Sequence, residues 1–461
     1  MPVSPPGAVL RHEDWLVRRF LRHPVRIVPL GFLVAILLGT GVLMLPPATE
    51  EHRYTPFLTA LFTATSAVSV TGMVVVDTPD YWTPVGLVMI TVLTQVGGLG
   101  ILTGSTLVIL LVARQLGLRT RLLVQAETAE FGIGDVRRLL LRIGLTVLVC
   151  EALITAILAL RFALAYDYPL GRALWYAFFH AVQAFNNGGF SLYQGNLTGF
   201  AHDGWVTLPL AFGSIIGGLG FPALFEAARS WRRPGRWTIG TKLTVWGSLV
   251  LLTVAFVVLL AAEWSNPRTL GPYGWEGKAL VAFTQDAFVR TGGFNTVDVT
   301  GLDEASYPLI IALMFIGGGS ASTAGGIKVA TFFLLAFAIW AEVRGEPDVT
   351  VGRRRAATAS QRQALTVALL SVALVVAGTV ALILLTEQHL SYDRALFEVT
   401  SAFSTTGLST GVAPTLPAAG QVVLIVLMYI GRVGTLTLGS AIALNTRRRL
   451  YRYPEEQPIV G

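Results

Sequence analysis

Ser69-Val-Thr-Gly-Met73, Asn186-Asn-Gly-Gly-Phe190, Arg290-Thr-Gly-Gly-Phe294 and Thr405-Thr-Gly-Leu408 are four versions of one short phrase. Aligned on Gly72, Gly189, Gly293 and Gly407, they recur at intervals of 117, 104 and 114 residues. Ten residues before each glycine stands a phenylalanine: Phe62, Phe179, Phe283 and Phe397. A second echo places its first glycine 24 to 28 residues later: Val96-Gly-Gly-Leu-Gly100, Ile216-Gly-Gly-Leu-Gly220, Ile316-Gly-Gly-Gly-Ser320 and Ile430-Gly-Arg-Val-Gly434. A chain built from four copies of one unit can set four equivalent loops around one axis.

The rest of the chain says what that axis crosses. Hydrophobic residues make up 53% of the 461 and charged residues only 13%, with a mean hydropathy of +0.64, where soluble domains run near a quarter charged. Apolar runs of membrane-crossing length cover 27–45, 85–112, 139–160, 206–228, 243–262, 309–340, 365–385 and 422–444, which makes eight spans, two per unit. The first has about 25 residues before it and a longer apolar core than a secretion signal, so it reads as a span that is kept. The single cysteine, Cys150, lies inside a span and reads as packing.

Net charge is +7, and 25 of the 34 lysines and arginines fall in alternate connections: before span one, after spans two, four and six, and after span eight. By the positive-inside rule those segments, both termini among them, are cytoplasmic. Topology therefore accounts for the basic clusters, and no nucleic-acid partner is expected; the partner of this surface is the lipid bilayer.

Between the two spans of each unit lies an amphipathic stretch too short to cross: 55–70, 170–187, 275–291 and 392–405. With both flanking spans ending outside, each stretch must enter the membrane and return, and irregular backbone survives at that depth only inside protein or against water. The expected fold is an all-α polytopic membrane protein of one domain. Its repeats, 25–113, 139–230, 240–341 and 361–446, are each a span, a pore helix and a span, set in parallel about a pseudo-fourfold pore axis. Helix packing through small residues is the competing reading of Gly97, Gly98, Gly217 and Gly218, but it leaves the fourfold Phe-to-Gly spacing unexplained.

Glycine permits backbone that turns carbonyl oxygens inward, and carbonyls can replace the hydration shell of a cation. The loop residues are Val70, Thr71 and Gly72; Asn187, Gly188 and Gly189; Thr291, Gly292 and Gly293; Thr405, Thr406 and Gly407. No carboxylate stands at the glycine step, which suits a weakly hydrated monovalent ion over Ca²⁺ or Mg²⁺.

These loops, with one filter glycine per repeat, resemble those of the Trk/Ktr/HKT superfamily of potassium-uptake proteins, over nearly the whole chain from about residue 25. Met314 to Lys328 is similar to the interrupted third-repeat helix of that family, and Met428 to Leu438 to its arginine-bearing fourth-repeat helix. The tail from Tyr453 to Gly461 resembles that of Ktr-type membrane subunits, and no additional spans precede repeat one. The resemblance implies K⁺ at the four loops, with Na⁺ as a coupling or activating ion. It implies a homodimer in the bacterial cytoplasmic membrane and a separate cytosolic regulatory ring with nucleotide-binding domains; no cofactor is expected in this chain. Gly72, where some relatives carry serine and favour sodium, points to potassium. Ser320-Ala321-Ser322 departs from relatives that have proline or glycine there. The alternative within the superfamily is a TrkH-like or less selective K⁺/Na⁺ transporter.

The run from 309 to 340 is longer than a straight span needs, and Gly317, Gly318, Gly319, Gly325 and Gly326 interrupt it. Each interior glycine costs a helix about 1 kcal/mol against alanine, so the middle should unwind. Together with Ser320, Ala321, Ser322, Thr323, Ala324 and Lys328 it reads as a gate just inside the loops, the alternative being a kinked, packed helix. Arg432 takes the place of Gly98, Gly218 and Gly318 in the fourth echo and is expected on the pore axis or paired with a carboxylate such as Glu398. Asp286 and Glu398 either raise local cation concentration or hydrogen-bond the loops, and His180, at the position of Glu398 in repeat two, reads as a packing or hydrogen-bonding residue. A polytopic enzyme would need acid–base pairs, and only Glu151, Glu226 and the pore-helix acids are available; a carrier with an occluded midplane site fits the parallel repeats poorly.

A reporter active only in the cytoplasm should work when fused to either terminus. Activity of an exterior-only reporter at the C-terminus would overturn the eight-span reading.

Overall fold

The computed structural model describes residues 24–115, 136–290, 292–386 and 389–434. Thr291, the basic residues before 24 and after 434, most of the loop between spans two and three, the last part of the 422–444 run and the tail lie outside the described residues. One order of elements recurs four times: a long helix, a short buried helix, a loop, and then an apolar helix that is broken in two in the second and third units. It is α1 (Pro24–Leu43), α2 (Phe57–Ser69) and α3 (Pro84–Gln115); α4 (Val136–Ala165), α5 (Leu170–Asn186), α6 (Gly204–Leu219) and α7 (Phe221–Arg229); α8 (Ile239–Glu263), α9 (Trp275–Val289), α10 (Ser306–Phe315) and α11 (Val329–Val343); α12 (Thr358–Leu385), α13 (Tyr392–Ser404) and α14 (Ala418–Tyr429), which a π-helical turn, Ile430–Gly434, extends. The only strands among the described residues are a two-residue pair, Thr350–Val351 with Arg354–Arg355, in the basic loop after α11.

The long helices are apolar on both sides, but only one side is buried. On α4, Leu145, Leu148, Leu153 and Leu160 are exposed while Val147, Ile154 and Leu158 are buried; α8 and α12 repeat the pattern with Val250, Val254 and Val257, and with Leu369, Val372 and Val376. Continuous exposed apolar stripes of this length would aggregate in water and are matched to lipid. Arg138–Ala165, Ile239–Glu263 and Thr358–Leu385 are each long and apolar enough to cross a membrane. The run at 206–228, which the sequence presents as one span, is broken. α6 and α7 meet at a 98° bend, at Gly220 with φ +85° and Pro222 just beyond. The bend is held by Glu226, which accepts the Thr238 amide at 2.7 Å and the Thr241 hydroxyl at 2.5 Å and so ties α7 to the start of α8.

The short helices are the most buried elements. From Thr63 to Ser69, from Ala181 to Asn186 and from Val399 to Ser404 every residue is buried. Phe62, Phe179 and Phe397 are fully buried, whereas the fourth phenylalanine of the spacing, Phe283, is half-buried and packs edgewise on Phe256 and tilted against Phe212.

Because a Cβ at Gly220 would strike the carbonyl of Ser320, and the backbone there, φ 85° and ψ 139°, is close to a glycine-only region that costs other residues about 1–3 kcal/mol, Gly220→Ala should lower the melting temperature of the detergent-solubilised protein by several degrees. An unchanged melting temperature would show that the bend is relaxed by other means.

Candidate functional site: the junction of four loops

Each short helix ends against its neighbours, and the way it ends is set locally. Val70, Asn187 and Thr405 cap α2, α5 and α13 in the left-handed conformation, with φ of 57°, 62° and 50°. The next residue's amide then bonds back into the helix: Thr71 to Ser66 at 2.8 Å, Gly188 to Gln183 at 2.7 Å, Thr406 to Ser401 at 2.9 Å. This is the Schellman closure. In the third unit Arg290 is still right-handed and Gly292 bonds the Phe288 carbonyl at 2.7 Å. Each loop then passes a glycine with positive φ: 85° at Gly72, 69° at Gly189, 71° at Gly293 and 91° at Gly407.

At those glycines the four loops meet. A Cβ on Gly72 would strike the Gly188 carbonyl, one on Gly189 the Cα of Gly293, one on Gly293 the Thr406 carbonyl, and one on Gly407 the Thr71 carbonyl. The contacts run from the first loop to the second, third, fourth and back to the first. Thr71, Gly188 and Thr406 hold the same place in their units, one residue before the glycine, so equivalent carbonyls abut equivalent glycines. Helix C-termini carry the negative end of the helix dipole. Their convergence makes the junction attractive to a cation without any carboxylate at its centre.

The returning limb of each loop is held by its own short helix. The amide three residues beyond the glycine bonds a helix side chain: Leu192 to His180 Nε2 at 3.4 Å, Thr296 to Gln285 Oε1 at 2.8 Å, Thr410 to Glu398 Oε1 at 2.7 Å. Glu398 also accepts the hydroxyls of Ser409 and Thr410, both at 2.8 Å. In the first unit Ser66 donates instead to the Met73 carbonyl at 2.7 Å. Glu398 and His180 thus act on loop shape. Asp286 is fully buried and its oxygens have no hydrogen-bond partner among the described residues; one turn on, Arg290 donates to the Ser248 carbonyl at 3.3 Å.

The second set of glycines explains itself here. A Cβ on Gly97, Gly217 or Gly431 would strike the carbonyl of Val68, Phe185 or Phe403, each four residues before its loop glycine. These glycines let a long helix run directly beneath the end of a short one. In the third unit the helix is interrupted instead, and Gly317 lies against the Gly325 carbonyl of the interrupting segment. Residues 316–328 fold back on themselves: Ile327 bonds the Phe315 carbonyl and Val329 the Gly318 carbonyl, both at 3.0 Å. The segment is also tied to α6, Gly319 bonding Gly218 at 2.7 Å and Thr323 bonding Gly217 at 3.2 Å. It passes under the loops, with Gly325 against Ser404 and Thr405. Lys328 turns inward and donates to the Ala324 carbonyl at 2.6 Å.

Arg432, 2% exposed, donates through Nη1 to the Thr323 carbonyl and not to Glu398; its Nε and Nη2 have no hydrogen-bond partner among the described residues. Three features lay beyond sequence reading: the bond from Asn187 to Thr323, the π-helical turn that carries Arg432, and the partners of Glu151, which the sequence offers only as an available acid. Glu151 accepts Gln95 at 3.3 Å and Asn186 at 3.1 Å. Only the bend at Gly220 had a local signal, a glycine two residues before a proline.

An apolar exterior around a buried junction of four glycine loops is the build of a polytopic membrane protein. The chain belongs to the TrkH family of cation transport proteins, whose sequence profile matches residues 4–446. That family is one of cation transporters and not an enzyme class. The chain is 37% identical over 449 residues to the Ktr system potassium uptake protein B of Bacillus subtilis, covering 97% of this chain and 99% of that one. It is 36% identical over 437 residues to the protein of the same name from Vibrio alginolyticus, covering 95% and 94%. The fold is that of the potassium transporter TrkH from Vibrio parahaemolyticus, with a TM-score of 0.68 at 20% identity over 96% of this chain and 87% of that one.

Glu398→Ala removes the acceptor of three hydrogen bonds and leaves the buried Thr410 amide unpaired, at a cost of about 1–3 kcal/mol. It should lower the melting temperature more than Glu398→Gln, which keeps an oxygen for that amide. Equal stability of both variants and the wild type would show that the limb is shaped elsewhere.

Proposed function

We propose that this chain is the potassium-translocating subunit of a bacterial K⁺ uptake system, and that the ion passes through the junction of the four loops. The carrying observation is the close approach of the Thr71, Gly188 and Thr406 carbonyls to the neighbouring loop glycines. Backbone carbonyl dipoles gathered from four loops can replace the water of a large monovalent cation. The filter is Val70, Thr71 and Gly72; Asn187, Gly188 and Gly189; Thr291, Gly292 and Gly293; Thr405, Thr406 and Gly407. The four units stand in parallel around the pore as eight spans, with both termini in the cytoplasm and the protein in the cytoplasmic membrane. Family membership and the names of its relatives support potassium; Na⁺ enters as a coupling or activating ion.

The gate is the unwound segment Gly317, Gly318, Gly319, Ser320, Ala321, Ser322, Thr323, Ala324, Gly325 and Gly326, with Lys328 and Arg432 beside it. Its backbone bonds to Gly217 and Gly218, and the donation from Arg432, hold it across the path below the filter. Few side chains anchor a glycine-rich segment, so open and closed arrangements can lie within a few kcal/mol of each other. A cytosolic ring with nucleotide-binding domains, as in a Ktr system, can bias that equilibrium by binding the two states differently. The membrane subunit acts as a homodimer.

Gly72→Ser and Gly407→Ser should each abolish the preference for K⁺ over Na⁺ in proteoliposome uptake, since an added side chain displaces the Gly188 or Thr71 carbonyl. Retained K⁺ affinity and Na⁺ exclusion in both would reject the filter.

Deleting residues 318–325 and Arg432→Ala should each raise flux without the regulatory partner, and together by less than the product of the two, because both act on one passage. Wild-type flux in both variants, at equal protein in the membrane, would show that neither element gates.

A further inference from the structure

Thr323 is fully buried, and every polar group it owns is engaged by a different part of the molecule. Its hydroxyl accepts Asn187 Nδ2 at 2.6 Å and faces the Phe185 carbonyl at 3.3 Å. Its amide donates to Gly217 at 3.2 Å, and its carbonyl accepts Arg432. One residue of the interrupting segment thus touches the last turn of α5, the residue that caps it, the helix beneath it and the buried arginine.

Asn187 is the left-handed residue immediately before Gly188, whose carbonyl faces Gly72. Its two equivalents among the described residues are not tied in this way. Val70 has no polar side chain, and Thr405 Oγ1, although Gly325 passes against it, has no hydrogen-bond partner among the described residues. Among the three described caps, Asn187 of the second loop is therefore the one hydrogen-bonded by side chain to the interrupting segment.

Resting on the filter and gate assigned above, we propose that Thr323 is a selectivity-determining positioning residue: through Asn187 it holds the Gly188 carbonyl in register, so ion discrimination depends on where the gate segment sits. With the segment in the observed place, Asn187 is clamped from below by a hydroxyl that is itself bonded to the Phe185 carbonyl. When the segment leaves, that bond is lost, and the loop that turns on Asn187 gains freedom at the carbonyl nearest Gly72. Coupling of two equilibria is reciprocal. A K⁺ ion that orders the Gly188 carbonyl therefore favours the clamped position of the segment, by the same factor with which the clamp favours K⁺.

The test is the ratio of K⁺ to Na⁺ uptake by the full-length protein in proteoliposomes, with Gly72→Ser as the filter control. Thr323→Val, nearly isosteric but without the hydroxyl, should lower the ratio about five- to tenfold, the range of one buried hydrogen bond. Asn187→Gly, which accepts the left-handed backbone without strain and has no side chain to donate, should lower it as much; it carries the test if Thr323→Val fails to reach the membrane. Thr323→Ser keeps the hydroxyl and should restore most of the ratio. The Thr323→Val, Asn187→Gly double variant should be no less selective than the weaker single one. A ratio unchanged by Thr323→Val and Asn187→Gly, while Gly72→Ser abolishes it, overturns the coupling and leaves the filter standing. Losses that multiply in the double variant also overturn it. A ratio unchanged in Gly72→Ser as well removes the filter reading, and the coupling with it.

Discussion

Four main chains in this protein approach one another so closely that a single methyl group on any of them would displace a neighbour's backbone. That contact is the constraint on which the rest depends. It requires glycine twice over, for space and for positive φ, and it requires it once in each unit. Backbone packed this tightly at the centre of an apolar molecule must have every short helix seated with little tolerance, which accounts for the near-complete burial of their last turns. The long helices can then be lipid-facing and simple, because the positioning is done inside.

Three side chains of different chemistry hold the returning limbs. His180, Gln285 and Glu398 each accept the amide three residues past the loop glycine, and they start from equivalent or adjacent positions of their helices. What is common to them is an acceptor at the right height; charge is secondary. A buried carboxylate would be costly without partners, and Glu398 has three donors on one oxygen. The second glycine set follows the same logic from below. Gly97, Gly217 and Gly431 let long helices pass under the short-helix ends, and the third unit departs from the pattern by opening its helix into the segment that lies under the junction.

That departure breaks the equivalence of the four units. The unwound segment leans on α6 through Gly217 and Gly218 and is fastened by Arg432 from the fourth unit, so an element of the third unit is held by the second and the fourth. Its ties to the neighbouring units are the backbone bonds to α6, the Asn187 side chain and Arg432. In the proposed function this separates the rigid part, which recognises the ion, from the part that opens, with Thr323 as the bond between them.

The sequence by itself determined the periodic part of this protein: the four glycine loops, the buried phenylalanines before three of them, the short helices too brief to cross, and the unwinding at Gly317 to Gly326. All of these follow from local rules, such as apolar run length, helix propensity and the absence of a side chain at glycine, that repeat with the chain. Only the tertiary structure decided what meets what. That Arg432 donates to Thr323 and not to Glu398, and that Asn187 reaches a residue 136 positions away, depend on the packing of elements from different units, and that Gly217 sits on the Phe185 carbonyl depends on how two helices of one unit pack. No local preference encodes such packing. The bend at Gly220 lies between the two: the glycine and proline permit it, but the fold-back onto α8 is set by Glu226 and the hydroxyls it finds there.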